Sequence, residues 1–395
     1  MTRTRVPTFF LFFVILILTG FFSKKIIAEE ILDEEYGYSL DVPEGFFHKG
    51  TSNNNMVWLF EHDRMPVQLV IRIYSEELFP TCSESLNESL TKLNSNFEKI
   101  QTFFWNGTDC AITDFSTDIV NNGVQGWAIA VSVPKKQSKL VLLCYADKSK
   151  ANDCQQFLFS TLNSLELKNG AKSDSGIMAT FAFSDENPLE NIVLQISGKK
   201  IPTQIKKYDK EACELTVKCE YEILKLYVNN KNWKEAWQRY YRIIYKDSFP
   251  RFNQIAKDIQ KNLMPIALNK NEKDANAALN EILLDWVQNF EYKRQLDGTD
   301  FTNPISTITG TASDCDSRSL LMCILLKQIG IDSVLFISNQ YNHAIYGSLI
   351  DENGAKIEVN GKWYLLGETT AKNIKPGLIA ADQSNTEMWI PVVLD

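Results

Sequence analysis

Histidine is scarce in this chain. There are three in 395 residues, at positions 48, 62 and 343, and none falls in an H-E-x-x-H spacing. A zinc centre built on imidazoles is therefore not expected, and nothing in the sequence calls for any other metal or cofactor. Basic stripes are missing too: 41 Lys and Arg stand against 49 Asp and Glu, a net charge of −8. Without residues 1–28, which hold four basic and no acidic side chains, the balance is 37 against 49. An acidic chain with no basic face is a poor partner for nucleic acid. Long apolar runs are few. The exception near the start, Phe9 to Phe22, follows Arg3 and Arg5 and is short for a membrane span. Residues 1–28 read as an export segment. Ala28 suits the cut, but Ile26 is a poor residue three positions before it and Lys24 and Lys25 follow the run, so an uncleaved anchor stays open. The expectation is an exported protein, periplasmic or extracellular, meeting a membrane only through that segment.

At 44% hydrophobic residues the remainder can bury substantial cores, and its length suits two or three domains of α+β class. Residues 29–168 read as one α+β domain. Strand patterns occur at YGYSLDVPEGF, MVWLFEH and VQLVIRIYS, then at DCAITDFSTD, GWAIAVSVP and KLVLLCYA, the last continuous enough to be central in a sheet. Between them SESLNESLTKLNSNFEKI predicts a helix opened by Ser83 or Ser85. NDCQQFLFSTLNSLEL predicts a closing helix with Phe157, Leu158, Leu162 and Leu165 at helical spacing. His48 and His62 read as surface residues.

Residues 169–270 begin with a polar linker, about 169–175. IMATFAF and NIVLQISGKKIPTQIKKY then suggest strands around a turn at Gly198. From Asp209 the pattern turns helical: two helices in tandem resemble a single tetratricopeptide-type hairpin, which must pack on neighbours to bury its face. Pro250 interrupts before a further helix at FNQIAKDIQKNLM. Residues 271–395 open with the helix ANAALNEILLDWVQNFEY, where Tyr292 reads as a core aromatic.

Eight cysteines in an exported chain suggest disulfides. Cys82, Cys110, Cys144 and Cys154 could supply one or two bridges. Cys213 and Cys219, six apart in one helix, stand roughly 9 Å apart along its axis and do not suit a bridge. Cys323 reads as a small buried hydrophobe.

The stretch Ser313 to Gly330, SDCDSRSLLMCILLKQIG, carries the chemistry. Every position from Leu320 to Leu326 is apolar, so this helix is buried on all sides, and Gly330 is placed to end it. Cys315 lies on its first turn, where unpaired N–H groups and the helix dipole favour a thiolate. Downstream stand one histidine, His343, opening the strand HAIYGS, and a hairpin, KIEVNGKWYLLGETT, that delivers Glu368. Cysteine, base and carboxylate in that order are the parts of an activated thiol nucleophile.

This set resembles the transglutaminase-like superfamily of papain-like thiol enzymes: DC at the head of a buried helix, LLKQIGI at its end, His-Ala opening a strand, and GKWYLLGETT closing the site. Phe290-x-Tyr292 matches its F-x-Y position. The resemblance implies a C-terminal papain-like domain, a catalytic Cys315–His343–Glu368 triad and a protein or peptide substrate cleaved or transferred through an acyl-enzyme. Two positions depart from it. Glu368 replaces the usual Asp of D-x-T, and Asp316 stands where crosslinking members carry Trp, which points away from crosslinking. The superfamily also includes non-catalytic scaffolds, so a binding or adaptor protein is the alternative. At the front of the chain, YGYSLDVPEGF and FLFSTLNSLEL resemble the PsbP-like α/β/α sandwich, which implies a binding or adaptor module.

Overall fold

The computed structural model describes residues 30–52, 54–168, 174–183, 188–294 and 299–394. Residues 1–28, expected to be an export segment or anchor, and residues 169–173 of the expected linker lie outside them. The fold is α+β, and the chain divides into two compact units, Met1–Ala171 and Lys172–Asp395.

The first unit is built on an antiparallel sheet of β3 (Phe46–Thr51), β4 (Val57–His62), β5 (Val67–Ser75), β6 (Asn96–Phe97), β7 (Gln101–Trp105), β8 (Thr108–Ile119), β9 (Asn122–Val133) and β10 (Ser138–Asp147). Its order is β3-β4-β5-β10-β9-β8-β6, with β7 also on β8. A small second sheet joins β1 (Ile31–Asp33), β2 (Tyr38–Leu40) and β11 (Leu165–Leu167). The central β10 is buried on both faces because a helix covers each. Helix α1 (Cys82–Lys92) lays Leu86 and Leu90 against Phe115, Val141 and Leu143. Helix α2 (Gln155–Asn163) lies on the other face, where Phe157 meets Phe46 and His62.

Three readings change here. Helix α1 starts one turn earlier than Ser85: Thr81 caps it in a reciprocal capping box with Glu84, and the helix ends at Lys92, with Asn94 in the left-handed region. His62 is no surface residue. Its side chain is 3% exposed, and Nε2 bonds to the Glu44 carbonyl at 2.9 Å. All eight cysteines are free and buried, so Cys82, Cys110, Cys144 and Cys154 pack as thiols rather than bridges.

In the second unit, α3 (Ile177–Ala182) replaces the strand expected at IMATFAF. The hairpin β12 (Leu189–Ile196) and β13 (Lys199–Lys206) turns through Ser197 and Gly198, both at positive φ as a two-residue hairpin turn needs. Helices α4 (Asp209–Lys225) and α5 (Trp233–Ser248) are tied by a buried ion pair, Arg239 to Glu220 at 2.7 Å. A short 3₁₀ turn at Pro250 leads to α6 (Asn253–Lys270), followed by α7 (Ala275–Gln288), β14 (Glu291–Tyr292), α8 (Pro304–Gly310), β15 (Ala312–Ser313) and α9 (Cys315–Gln328). Residues 169–270 do not stand apart: one apolar core runs from Leu194 through Val217, Ile259 and Leu283 to Leu394.

Helix α9 lies in that core. Leu320 to Leu326 are all buried, and Gly330 at φ +89° closes the helix. It packs on a five-stranded antiparallel sheet of β16 (Ser333–Ser338), β17 (His343–Ser348), β18 (Lys356–Val359), β19 (Lys362–Gly367) and β20 (Ile390–Val393), ordered β18-β19-β17-β16-β20. The strands alternate: Leu335, Ile337, Ala344 and Tyr346 face the helix side, while Val334, Phe336 and Ile345 join Trp389 on the other.

Candidate active site at the head of a buried helix

Helix α9 begins where the sequence places it. Asp314, extended at φ −94° and ψ −172°, caps it by accepting the Ser317 N–H at 2.9 Å. Cys315 is therefore the first helical residue. Among the described residues nothing accepts from the Cys315 and Asp316 backbone N–H groups, the orphan donors of a helix start. The strand β17 begins at His343, and α9 packs against it. Cys315 and His343 line one cleft of about 220 Å³.

His343 is held by Glu368, Nε2 to Oε2 at 2.7 Å. The other Glu368 oxygen accepts the Thr370 N–H at 2.6 Å and its hydroxyl at 2.5 Å. Burial works against a charged Glu368, but the bonds and charge of His343 and Thr370 outweigh it and hold the carboxyl below the usual range. The geometry leaves Nδ1 as the ring nitrogen free to act on a neighbour. Trp389 lies beside the ring, centroid to centroid 6.3 Å.

The carboxylate loop is fixed by residues that the sequence reading passed over. Arg318, 1% exposed, donates to the carbonyls of Thr369 at 3.3 Å, Phe290 at 3.0 Å and Ser313 at 3.1 Å. Gln288 Nε2 donates to the Glu368 carbonyl at 2.7 Å, and the Ser319 hydroxyl meets the Ala344 carbonyl at 3.1 Å and Thr369 Oγ1 at 3.2 Å. The available signal was a lone arginine inside an apolar helix, which needs buried acceptors. Gly367 serves the same loop: a Cβ there would meet the Tyr346 ring at 2.1 Å.

Two expectations are corrected at the thiol. The helix start does not yield a stabilised thiolate. Burial first, then the Asp316 and Asp314 carboxylates, push the Cys315 thiol well above its ordinary value. A dipole end is worth about 1 kcal/mol, too little against two adjacent charges and desolvation. The thiol donates instead to Asp316 Oδ1 at 3.1 Å, and among the described residues no hydrogen bond joins it to His343. Asp316 Oδ2 accepts from the Tyr241 hydroxyl of α5. Tyr292 is no core aromatic. It is 52% exposed, pairs with Ser313 through the short β14–β15 ladder, lines the cleft and lies over Arg318, 5.6 Å from the ring centroid. The described residues hold no cluster of His, Cys, Asp or Glu able to bind a metal.

No protein-family model and no curated protein matches the chain. Solved structures resemble parts of it weakly. PsbP from the cyanobacterium Synechocystis sp. PCC 6803 is 8% identical over 35% of this chain and 91% of its own, with a TM-score of 0.29. The Ran-binding protein Mog1p of Saccharomyces cerevisiae is 12% identical over 36% of this chain and 95% of its own, TM-score 0.28. A candidate cysteine protease from Cytophaga hutchinsonii is 12% identical over 76% of this chain and 74% of its own, TM-score 0.21. At such scores these likenesses carry no argument about activity. Among the described residues no helix is long and apolar enough to cross a membrane.

Proposed function

We propose that the chain is an exported thiol enzyme of the transglutaminase-like type, cleaving amide or peptide bonds through a Cys315 acyl-enzyme. One observation carries the reading: a histidine with Nε2 bonded to a buried carboxylate at 2.7 Å lines the same cleft as a cysteine on the first turn of a buried helix. Glu368 keeps the Nε2 proton in place, so His343 acts through Nδ1. Because the thiol is held protonated, His343 works as a general base at the moment of attack rather than as half of a standing ion pair. The proton moves from sulfur to Nδ1, the C–S bond forms, and the carbonyl electron pair moves to oxygen. The free N–H groups of Cys315 and Asp316 receive that oxyanion. Collapse breaks the C–N bond, and the leaving amine takes the proton from His343. Water, deprotonated by the same nitrogen, then releases the acid and returns the proton to sulfur.

The test is digestion of a peptide mixture in ¹⁸O-labelled water, with new carboxylates counted by mass spectrometry. Labelled termini are expected from the native protein and not from Cys315→Ser or His343→Ala. Equal labelling by the Cys315→Ser variant would refute the assignment.

A further inference from the structure

The cleft carries more negative charge than the reaction requires. Asp314 and Asp316 flank the nucleophile, and no Lys or Arg among the described residues pairs with either. Arg294, the one arginine among the described residues that line the cleft, is already engaged, Nε to Asp300 at 2.8 Å. Among the described residues Asp316 accepts only from neutral donors, the Tyr241 hydroxyl and the thiol itself. Asp314 spends one oxygen on the helix cap and, among the described residues, bonds nothing through the other. Burial, then Asp316, raises the Asp314 carboxyl to about 7, as a neighbouring carboxylate does to a buried acid.

A second observation points to a ligand. Tyr240 is 4% exposed and lines the cleft, yet it makes no hydrogen bond to any described residue. A side chain buried to that degree usually finds its hydroxyl a hydrogen-bond partner, and this one lines the cleft instead. Its ring, with those of Phe301 and Trp237, gives the cleft an aromatic wall beside the acidic pair. Aromatic faces with a carboxylate at the end suit an alkyl stem ending in a cation. They disfavour an anion and give a neutral side chain no compensation for the two charges.

We propose that the cleft selects acyl donors bearing a primary ammonium or guanidinium beside the scissile carbonyl, and that this cation releases the Cys315 thiol from Asp316. For the chemical steps after binding, the proposal rests on the acyl-transfer reading. In the free protein Asp316 holds the thiol proton at Oδ1. A seated cation offsets the charge of Asp314 and Asp316, so their penalty on the thiolate falls and the proton can pass from sulfur to His343 Nδ1 when the carbonyl arrives. A matching neutral substrate leaves the thiol bonded to Asp316. Cation preference therefore appears in the acylation rate as well as in KM.

The experiment uses the full chain and two small thiol reagents, cationic 2-aminoethyl methanethiosulfonate and neutral methyl methanethiosulfonate. Modification of the Cys315 peptide is timed by mass spectrometry and each rate divided by that of N-acetylcysteine. The cationic reagent should be favoured by about tenfold or more, the scale of one partly desolvated charge pair. Asp314→Asn, which can still cap the helix, and Asp316→Asn, which can still accept from Tyr241, should each bring the ratio towards unity. A ratio at or below unity in the native protein, or one unchanged in both variants, overturns the cation site. Paired fluorogenic amides with lysine or norleucine beside the scissile bond supply the second arm, with lysine expected to win in acylation rate; a norleucine rate equal to the lysine rate also overturns it. The reagent ratio needs no turnover, so its loss refutes the cation site alone, whereas absence of any Cys315-dependent hydrolysis refutes the acyl-transfer reading alone.

Discussion

Replacing Arg318 by methionine tests how the carboxylate loop is held. The guanidinium is buried inside an apolar helix and donates to three backbone carbonyls and to the Ser313 hydroxyl. Methionine fills much of the volume and donates nothing. The Ser313 carbonyl keeps the Lys293 N–H at 3.1 Å, but those of Thr369 and Phe290 lose their partner. At about 1–3 kcal/mol for each buried unsatisfied acceptor, the expected loss is about 2–6 kcal/mol. Lysine, with one compact ammonium in place of a fork, should recover only part of it. Because the chain has two units, a single unfolding midpoint would mix them. The assay is therefore hydrogen exchange by mass spectrometry on peptides spanning α9 and residues 364–371. Exchange there should accelerate by well over tenfold in Arg318→Met. An acceleration below tenfold, about 1.4 kcal/mol, would refute the claim that Arg318 staples the loop.

Cys315→Ala should leave the second unit nearly as stable as before, whereas Leu325→Ala, at 1% exposure in the all-apolar run, should cost about 2–5 kcal/mol by urea titration of the same peptides. Asp314 binds its proton more tightly folded than unfolded, so its contribution is fully present below its ordinary value of 3.8 and is lost as pH rises through about 7. Asp314→Asn should remove that decline, which urea titrations of the α9 peptides at a series of pH values, on native and variant protein, will read. Glu368 has the opposite sign: its carboxyl is lowered, so its contribution is present above 4.5 and disappears as pH falls below it, and Glu368→Gln should flatten that acid limb. With a labelled primary amine in excess, products should carry a new carboxylate rather than the amine. Asp314 and Asp316 draw the amine as its non-nucleophilic ammonium; mainly amidated product would make the protein a transferase.

Signals that lie within a few residues were legible in the chain. Leu320 to Leu326 are buried on every side because no position offers a polar face. The β18–β19 hairpin turns at Asn360 and Gly361, both at positive φ, as Asn-Gly in a two-residue turn demands. The order of cysteine, histidine and carboxylate lies within 54 residues of sequence, and in the fold His343 and Glu368 of that set are in contact at 2.7 Å. Where local preference was weak, the reading slipped. IMATFAF has no clean period and forms a short helix, and the capping box at Thr81 lies just ahead of Ser83 and Ser85, which are equally good caps by residue type. What the thiol is like was decided only in three dimensions. The helix start alone argues for a thiolate, but burial and the charges of Asp314 and Asp316 reverse it, and burial is a property of everything packed around a residue. Tyr240 and Tyr241 stand some 75 positions before Cys315, on a helix whose own sequence says only that it is amphipathic. Packing of α5 beside α9 brings them to the nucleophile, because a buried stripe needs an apolar neighbour and its pattern does not say which one it will find.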